Sequence, residues 1–132
     1  MTPRGWFQIK ARDVIAELPL PATAKWPMGV FDKEVFSSAT VQVSLFAPQS
    51  TDFQTPHPQH EFYFIVEGSG RIDIDGSVVE FAAGDAIFVP KGMSHRFEVP
   101  LNFTSWVVFF GPDPDEVGTT RSASTSGEVE PN

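Results

Sequence analysis

Residues 61–95 read EFYFIVEGSGRIDIDGSVVEFAAGDAIFVPKGMSH, short runs of Val, Ile and Phe interrupted at regular intervals by Gly, Asp and Pro. β-Branched and aromatic residues suit pleated, half-buried surfaces, and the punctuation between the runs marks turns. Ile72 and Ile74 alternate with Arg71, Asp73 and Asp75. Asp75-Gly76 is a hairpin signal, because a type I′ turn needs positive φ at both central residues, and Val78 to Phe81 is the return strand. Gly84-Asp85 turns the chain into Ala86 to Val89, and Pro90-Lys91-Gly92 turns it again before a strand from His95 to Val99. Within Glu61 to Val66, Tyr63 and Ile65 face one way while Phe62 and Phe64 face the other, so both faces of that strand need cover.

The same pattern extends in both directions. Val41, Val43 and Leu45 fall on one face of a strand and Gln42 and Ser44 on the other, the alternation of a half-buried strand. Phe103 to Phe110 is a last strand, apolar on both faces. Short strands at this spacing predict an all-β sandwich or barrel, here over residues 34–111, with residues 1–33 as an N-terminal segment packed on it. In that segment Asp13 to Leu18 reads as a short helical stretch, capped by Asp13 and stopped by Pro19 and Pro21. Beyond Gly111 the chain turns to Pro, Ser, Thr, Gly and acids, and residues 112–132 are expected to be a disordered acidic tail.

At 132 residues the chain fits one domain. The formal net charge is −8, half of it in the tail. Without a basic stripe to neutralise phosphates, neither nucleic acid nor an anionic membrane surface is an expected partner. The absence of cysteine excludes disulfides, thiolate metal sites and cysteine nucleophiles. No segment approaches the ~20 apolar residues of a membrane span and none reads as a signal peptide, so a soluble, cytoplasmic protein is expected.

The chain has three histidines. His57 and His60 lie beside Glu61, and His95 follows the second Pro-Gly turn. In a straight strand the Cα atoms of His57 and Glu61 would stand ~13 Å apart, a poor chelate. Pro58 can turn the chain and lay Glu61 beside His57.

These residues resemble the cupin superfamily, in particular its small single-domain, type-2-like members, whose two motifs bring histidines and a glutamate together inside a jelly-roll β-barrel. The first motif is a His-x-His pair, three or four residues, Glu, six residues and Gly; His57, Glu61 and Gly68 match its second His, its Glu and its Gly, with Thr55 at the first His. The second is Gly, five residues, Pro-x-Gly, two residues and His, matched by Gly84, Pro90, Gly92 and His95. Fifteen residues, Ser69 to Ala83, separate the two motifs. Gln49 and Val99 stand where Gly and Asn are common in the family.

The resemblance implies one divalent metal ion held by His57, Glu61 and His95, with Thr55 leaving one customary ligand position open to water or substrate. Two imidazoles and a carboxylate suit non-haem Fe(II), and Mn, Ni, Co or Zn would accept them. Gln59 is a candidate fourth ligand, although a solvated turn residue is the commoner role for it. His60 is expected beside the site rather than in it, and Tyr63, sharing a face with Glu61, is a candidate catalytic acid. Because imidazoles bind metal only when deprotonated, affinity should fall as pH drops through the ordinary histidine range near ~6.5. The expected function is that of a metal-dependent, dioxygenase-like enzyme acting on a small organic molecule. The alternative is a non-catalytic module that binds or senses a small molecule or metal. The glycines are assigned to the fold: Gly68 and Gly70 to frame a hairpin, Gly84 and Gly92 to permit turns. The apolar outward faces predict a homodimer.

Overall fold

A computed structural model describes residues 5–49 and 58–111. Thr55, His57 and residues 112–132 lie outside the described residues. The elements are α1 (Ala11–Ile15), β1 (Asp32–Ser37), β2 (Val41–Phe46), β3 (His60–Ile74), β4 (Ser77–Ala82), β5 (Ala86–Val89), β6 (His95–Phe97) and β7 (Phe103–Phe110).

Every strand pairing is antiparallel. The main path runs β1-β2-β7-β3-β4, with β5 and β6 also paired to β3. β3 joins two layers, its first half lying between β7 and β5 and its second half between β4 and β6. The layers pack face to face as an all-β sandwich, open rather than closed into a complete barrel among the described residues. Phe97 of β6 reaches across to Tyr63 of β3 and Phe46 of β2, with ring centroids 5.1 and 5.9 Å apart. Phe81 and Phe103 complete the aromatic floor, and Ile65, Ile72, Ile87, Val89 and Val107 fill the space around it.

The turn at Asp75-Gly76 has positive φ at both residues, 51° and 92°, as the hairpin signal requires. Two local expectations are revised. Glu61 to Val66 and the strand carrying Ile72 are parts of one 15-residue strand, and its register shifts between Ile65 and Glu67. Gly68 and Gly70 therefore lie inside β3 rather than framing a hairpin. The helix begins earlier than Asp13: the Lys10 carbonyl accepts from the Asp13 and Val14 amides, and Asp13 sits in the first turn of α1.

β2 has the two unlike faces that its alternation implies, and the register shows which is inside. Directly paired residues share a face, and the register sets Ser44 beside Val107 and Val107 beside Tyr63. Gln42 stands beside Phe109, which stands beside Glu61. The polar set of β2 thus faces the interior. Its apolar set, Val41, Val43 and Leu45, faces outward, where α1 lies against β2 and Leu45 and Val14 are buried.

Candidate metal centre

Glu61 and Tyr63 lie two residues apart on β3 and so project from the same face. His95 opens β6 in the opposite layer, delivered there by the Pro90 to Ser94 turn, in which the Met93 amide donates to the Pro90 carbonyl. The three side chains meet in the interior. The Tyr63 hydroxyl donates to Glu61 Oε1 at 2.7 Å. It lies 3.3 Å from His95 Nε2, which is 3.4 Å from Glu61 Oε1. The His95 and Glu61 side chains are 0% and 2% exposed, and Tyr63 is buried as fully.

The ring orientation of His95 carries chemical information. Its Nδ1 lies 3.1 Å from the Met93 carbonyl oxygen, and since a carbonyl only accepts, Nδ1 carries a proton and donates. With that one proton, Nε2 directs a lone pair towards a carboxylate oxygen. The two face each other beside the Tyr63 hydroxyl, an arrangement that can accommodate a proton or a metal ion between them. A histidine whose far nitrogen donates to a carbonyl is also the usual arrangement of a metal-ligating imidazole. The donor set therefore fits a divalent cation.

His60 takes the opposite face of β3. Its ring stands between Phe88 and Phe110, at 5.7 and 5.3 Å, and its Nδ1 accepts from the Lys91 amide at 3.1 Å. Gln59 donates through its side-chain amide to Gln42 Oε1 at 2.6 Å. Glu61 and His95, far apart in sequence, are thus brought together with Tyr63, while His57 falls outside the described residues. Among the described residues no three His, Cys, Asp or Glu side chains cluster as a complete metal site. The inward turn of Ser44 and Gln42 was missed by sequence reasoning, because alternation reveals that a strand has two unlike faces but not which one is inside.

A cupin-domain family model matches residues 42–104. An uncharacterized protein of Streptomyces coelicolor is 34% identical over 76 residues, covering 55% of this chain and 72% of that protein. The chain is a cupin. The acetate kinase EutQ of Clostridioides difficile is 30% identical over 74 residues, but this cupin spans only 47% of its length. A solved structure of the Clostridium difficile EutQ protein superposes with a TM-score of 0.54 at 27% identity, covering 60% of each chain. A cupin superfamily protein from Desulfitobacterium hafniense gives 0.54 at 20% identity, over 60% of this chain and 74% of that one, a likeness of fold alone. Among the described residues no helix of this cupin is long and apolar enough to cross a membrane.

Proposed function

We propose that this cupin binds one divalent metal ion through Glu61 and His95, with His57 as the third ligand, and acts as an oxygenase-type enzyme on a small organic molecule in its interior. The observation that carries this reading is the buried approach of His95 Nε2 to Glu61 Oε1 at 3.4 Å, with Nδ1 already committed to the Met93 carbonyl. When bound, such an ion supplies a Lewis-acid centre with open coordination positions. The chain's own residues do the rest. Met93 holds the imidazole ring in place. The Tyr63 hydroxyl orients the Glu61 carboxylate and carries a proton into the site. Val89, paired with Glu61, and Val107, paired with Tyr63, are buried beside them and keep water from the cluster. The acetate kinase activity in the relative's name is not carried over, since this chain spans less than half of that protein.

The test is elemental analysis of protein purified without added ions. One divalent metal per chain is expected, and it should be lost in Glu61→Gln and in His95→Gln, while His60→Ala keeps it, with circular dichroism confirming that each variant is folded. Retention of one metal per chain in the double variant His57→Ala, His95→Ala would overturn the site. Metal bound without turnover of any small organic substrate would instead favour the non-catalytic binding module.

A further inference from the structure

His60 lies outside the buried cluster, yet its contacts lead to it. On β3 it precedes Glu61 and takes the opposite face, its ring packed beside Phe88 and Phe110. β5 ends at Val89, the partner of Glu61, and the next residue, Pro90, has no N–H with which to continue the ladder. The His60 side chain takes over at that point, its Nδ1 accepting from the Lys91 amide at 3.1 Å. Lys91 lies in the turn that delivers His95. Inside that turn the Met93 amide donates to the Pro90 carbonyl at 3.2 Å, and at its far end the Ser94 carbonyl accepts from the Asp75 amide at 2.9 Å. Met93 sits between these two anchors, and its carbonyl oxygen, 3.1 Å from His95 Nδ1, sets the angle of the imidazole.

We propose that His60 is a positioning residue for the metal centre. By holding the Lys91 amide it fixes the Pro90 to Ser94 turn, and through the Met93 carbonyl it fixes the direction in which His95 Nε2 faces Glu61. The inference rests on the metal-binding reading above. His60 and Glu61 are neighbours on one strand, so this hydrogen bond ties the strand that supplies the carboxylate to the turn that supplies the imidazole. Partners of this kind set ligand geometry alongside the ligands themselves. The Asp75 contact is made by backbone, whereas the His60 contact is made by a side chain and can be exchanged. Three substitutions separate its hydrogen bond from its ring packing. His60→Phe keeps an aromatic ring beside Phe88 and Phe110 but has no acceptor. His60→Asn places an amide oxygen where Nδ1 stands and has no ring. His60→Ala removes both.

Zinc binding to the metal-free wild type and to each variant is measured by calorimetry, and the His95 ring-nitrogen signals of the same metal-free samples are recorded by NMR. Every protein is expected to bind one ion per chain. His60→Phe and His60→Ala should bind it about 3–10-fold more weakly than the wild type, the effect of one neutral hydrogen bond, and their His95 signals should move. That loss is smaller than the ~10–100-fold typical when a ligand's own partner is removed, because water can take the place of Nδ1. His60→Asn should restore both affinity and signals, since an amide oxygen accepts as the imidazole nitrogen does. Wild-type affinity with unmoved His95 signals in His60→Phe would overturn the proposal, with His60→Ala deciding in its place should the larger ring prevent folding. His60→Asn as impaired as His60→Phe would also overturn it, by assigning the effect to ring packing. A wild type that binds no zinc would sink the metal reading, and the His95 signals would then decide the positioning role by themselves.

Discussion

Gly68 sits where β3 leaves one layer for the other, paired with Phe103 of β7 on one side while the next residue, Ser69, pairs with Ala82 of β4. Its φ is 86°, and a Cβ added there would lie 2.1 Å from the Asn102 carbonyl oxygen and 2.7 Å from the Phe103 Cα. Both obstacles are backbone and neither can swing aside. The glycine of the first motif falls at this close approach, and the distance in sequence from Glu61 to Gly68 is the length of strand that spans the first layer. Gly68→Ala should therefore cost about 2–5 kcal/mol, combining an overpacking term of ~1–3 with a left-handed backbone term of ~1–2. Urea unfolding of the variant measures it. A loss below about 1 kcal/mol would mean that β3 and β7 separate there without resistance. Tyr63 illustrates the opposite residue-level case, an aromatic ring packed against Phe97 whose one polar atom is used inside the cluster. Sequence showed that it shares a face with Glu61, and the structure adds its proximity to both Glu61 and His95.

At the level of elements, most of the architecture was legible because the turn residues state it directly. Ala86–Val89 and Phe103–Phe110 have the bounds that their flanking Gly, Asp and Pro imply, and the Asp75-Gly76 turn sets the register of β3 against β4. Two kinds of information were not local. The continuity of β3 past Gly68 depends on β7 and β4 lying on either side of the bend, which no local pattern reports. The inside of β2 depends on what covers its apolar face, and that cover is α1, a short helix with no side-chain N-cap. Its presence lets Leu45 be buried on the outside and frees Gln42 and Ser44 to face the interior. Of the candidate ligands, the approach of His95 to Glu61 was what the family resemblance implied, whereas the positioning of His95 by the Met93 carbonyl required coordinates. Val14 is the buried residue of α1, and the Lys33–Glu17 ion pair ties the same segment to β1. If α1 stabilises the outer face of β2 as argued, Val14→Ala should cost roughly 1–3 kcal/mol, the range for removing methyl groups from a packed site. Glu17→Gln should cost under about 1 kcal/mol, since exposed ion pairs contribute little. Paired denaturation curves check both. Equal losses for the two variants would show that α1 is held by charge rather than by packing.

For the molecule as a whole, α1 covers only part of the outer face. Where β5, β3 and β7 lie side by side, Phe62, Phe64, Phe88, Phe110 and His60 form a continuous ring cluster with neighbouring centroids 5.2 to 6.3 Å apart. None of these side chains is an acid, a lysine or an arginine. Phe64 and Phe88 remain 43% and 44% exposed, which at roughly 200 Å² per aromatic side chain leaves about 170 Å² of ring surface in water from these two alone. Half-buried Phe62, Trp106, Val108 and Phe110 extend the patch. Isolated exposed phenylalanines need no explanation, but a contiguous uncharged cluster of this kind marks an interface. The chain carries a net charge of −8, so two copies repel one another over most of their surface and can meet favourably where that charge is absent. A second copy related by a two-fold axis is accordingly the proposed occupant, since an isologous contact buries the same patch twice. A standard interface buries about 800 Å² per partner around an apolar centre, and the aromatic cluster would form that centre. Light scattering at micromolar concentration should return twice the chain mass. The double variant Phe64→Glu, Phe88→Glu, which adds charge at exposed positions while leaving Glu61, Tyr63 and His95 untouched, should return a single chain mass with an unchanged far-ultraviolet spectrum. A monomeric wild type, or a dimer that survives both substitutions, would place the interface elsewhere or remove it.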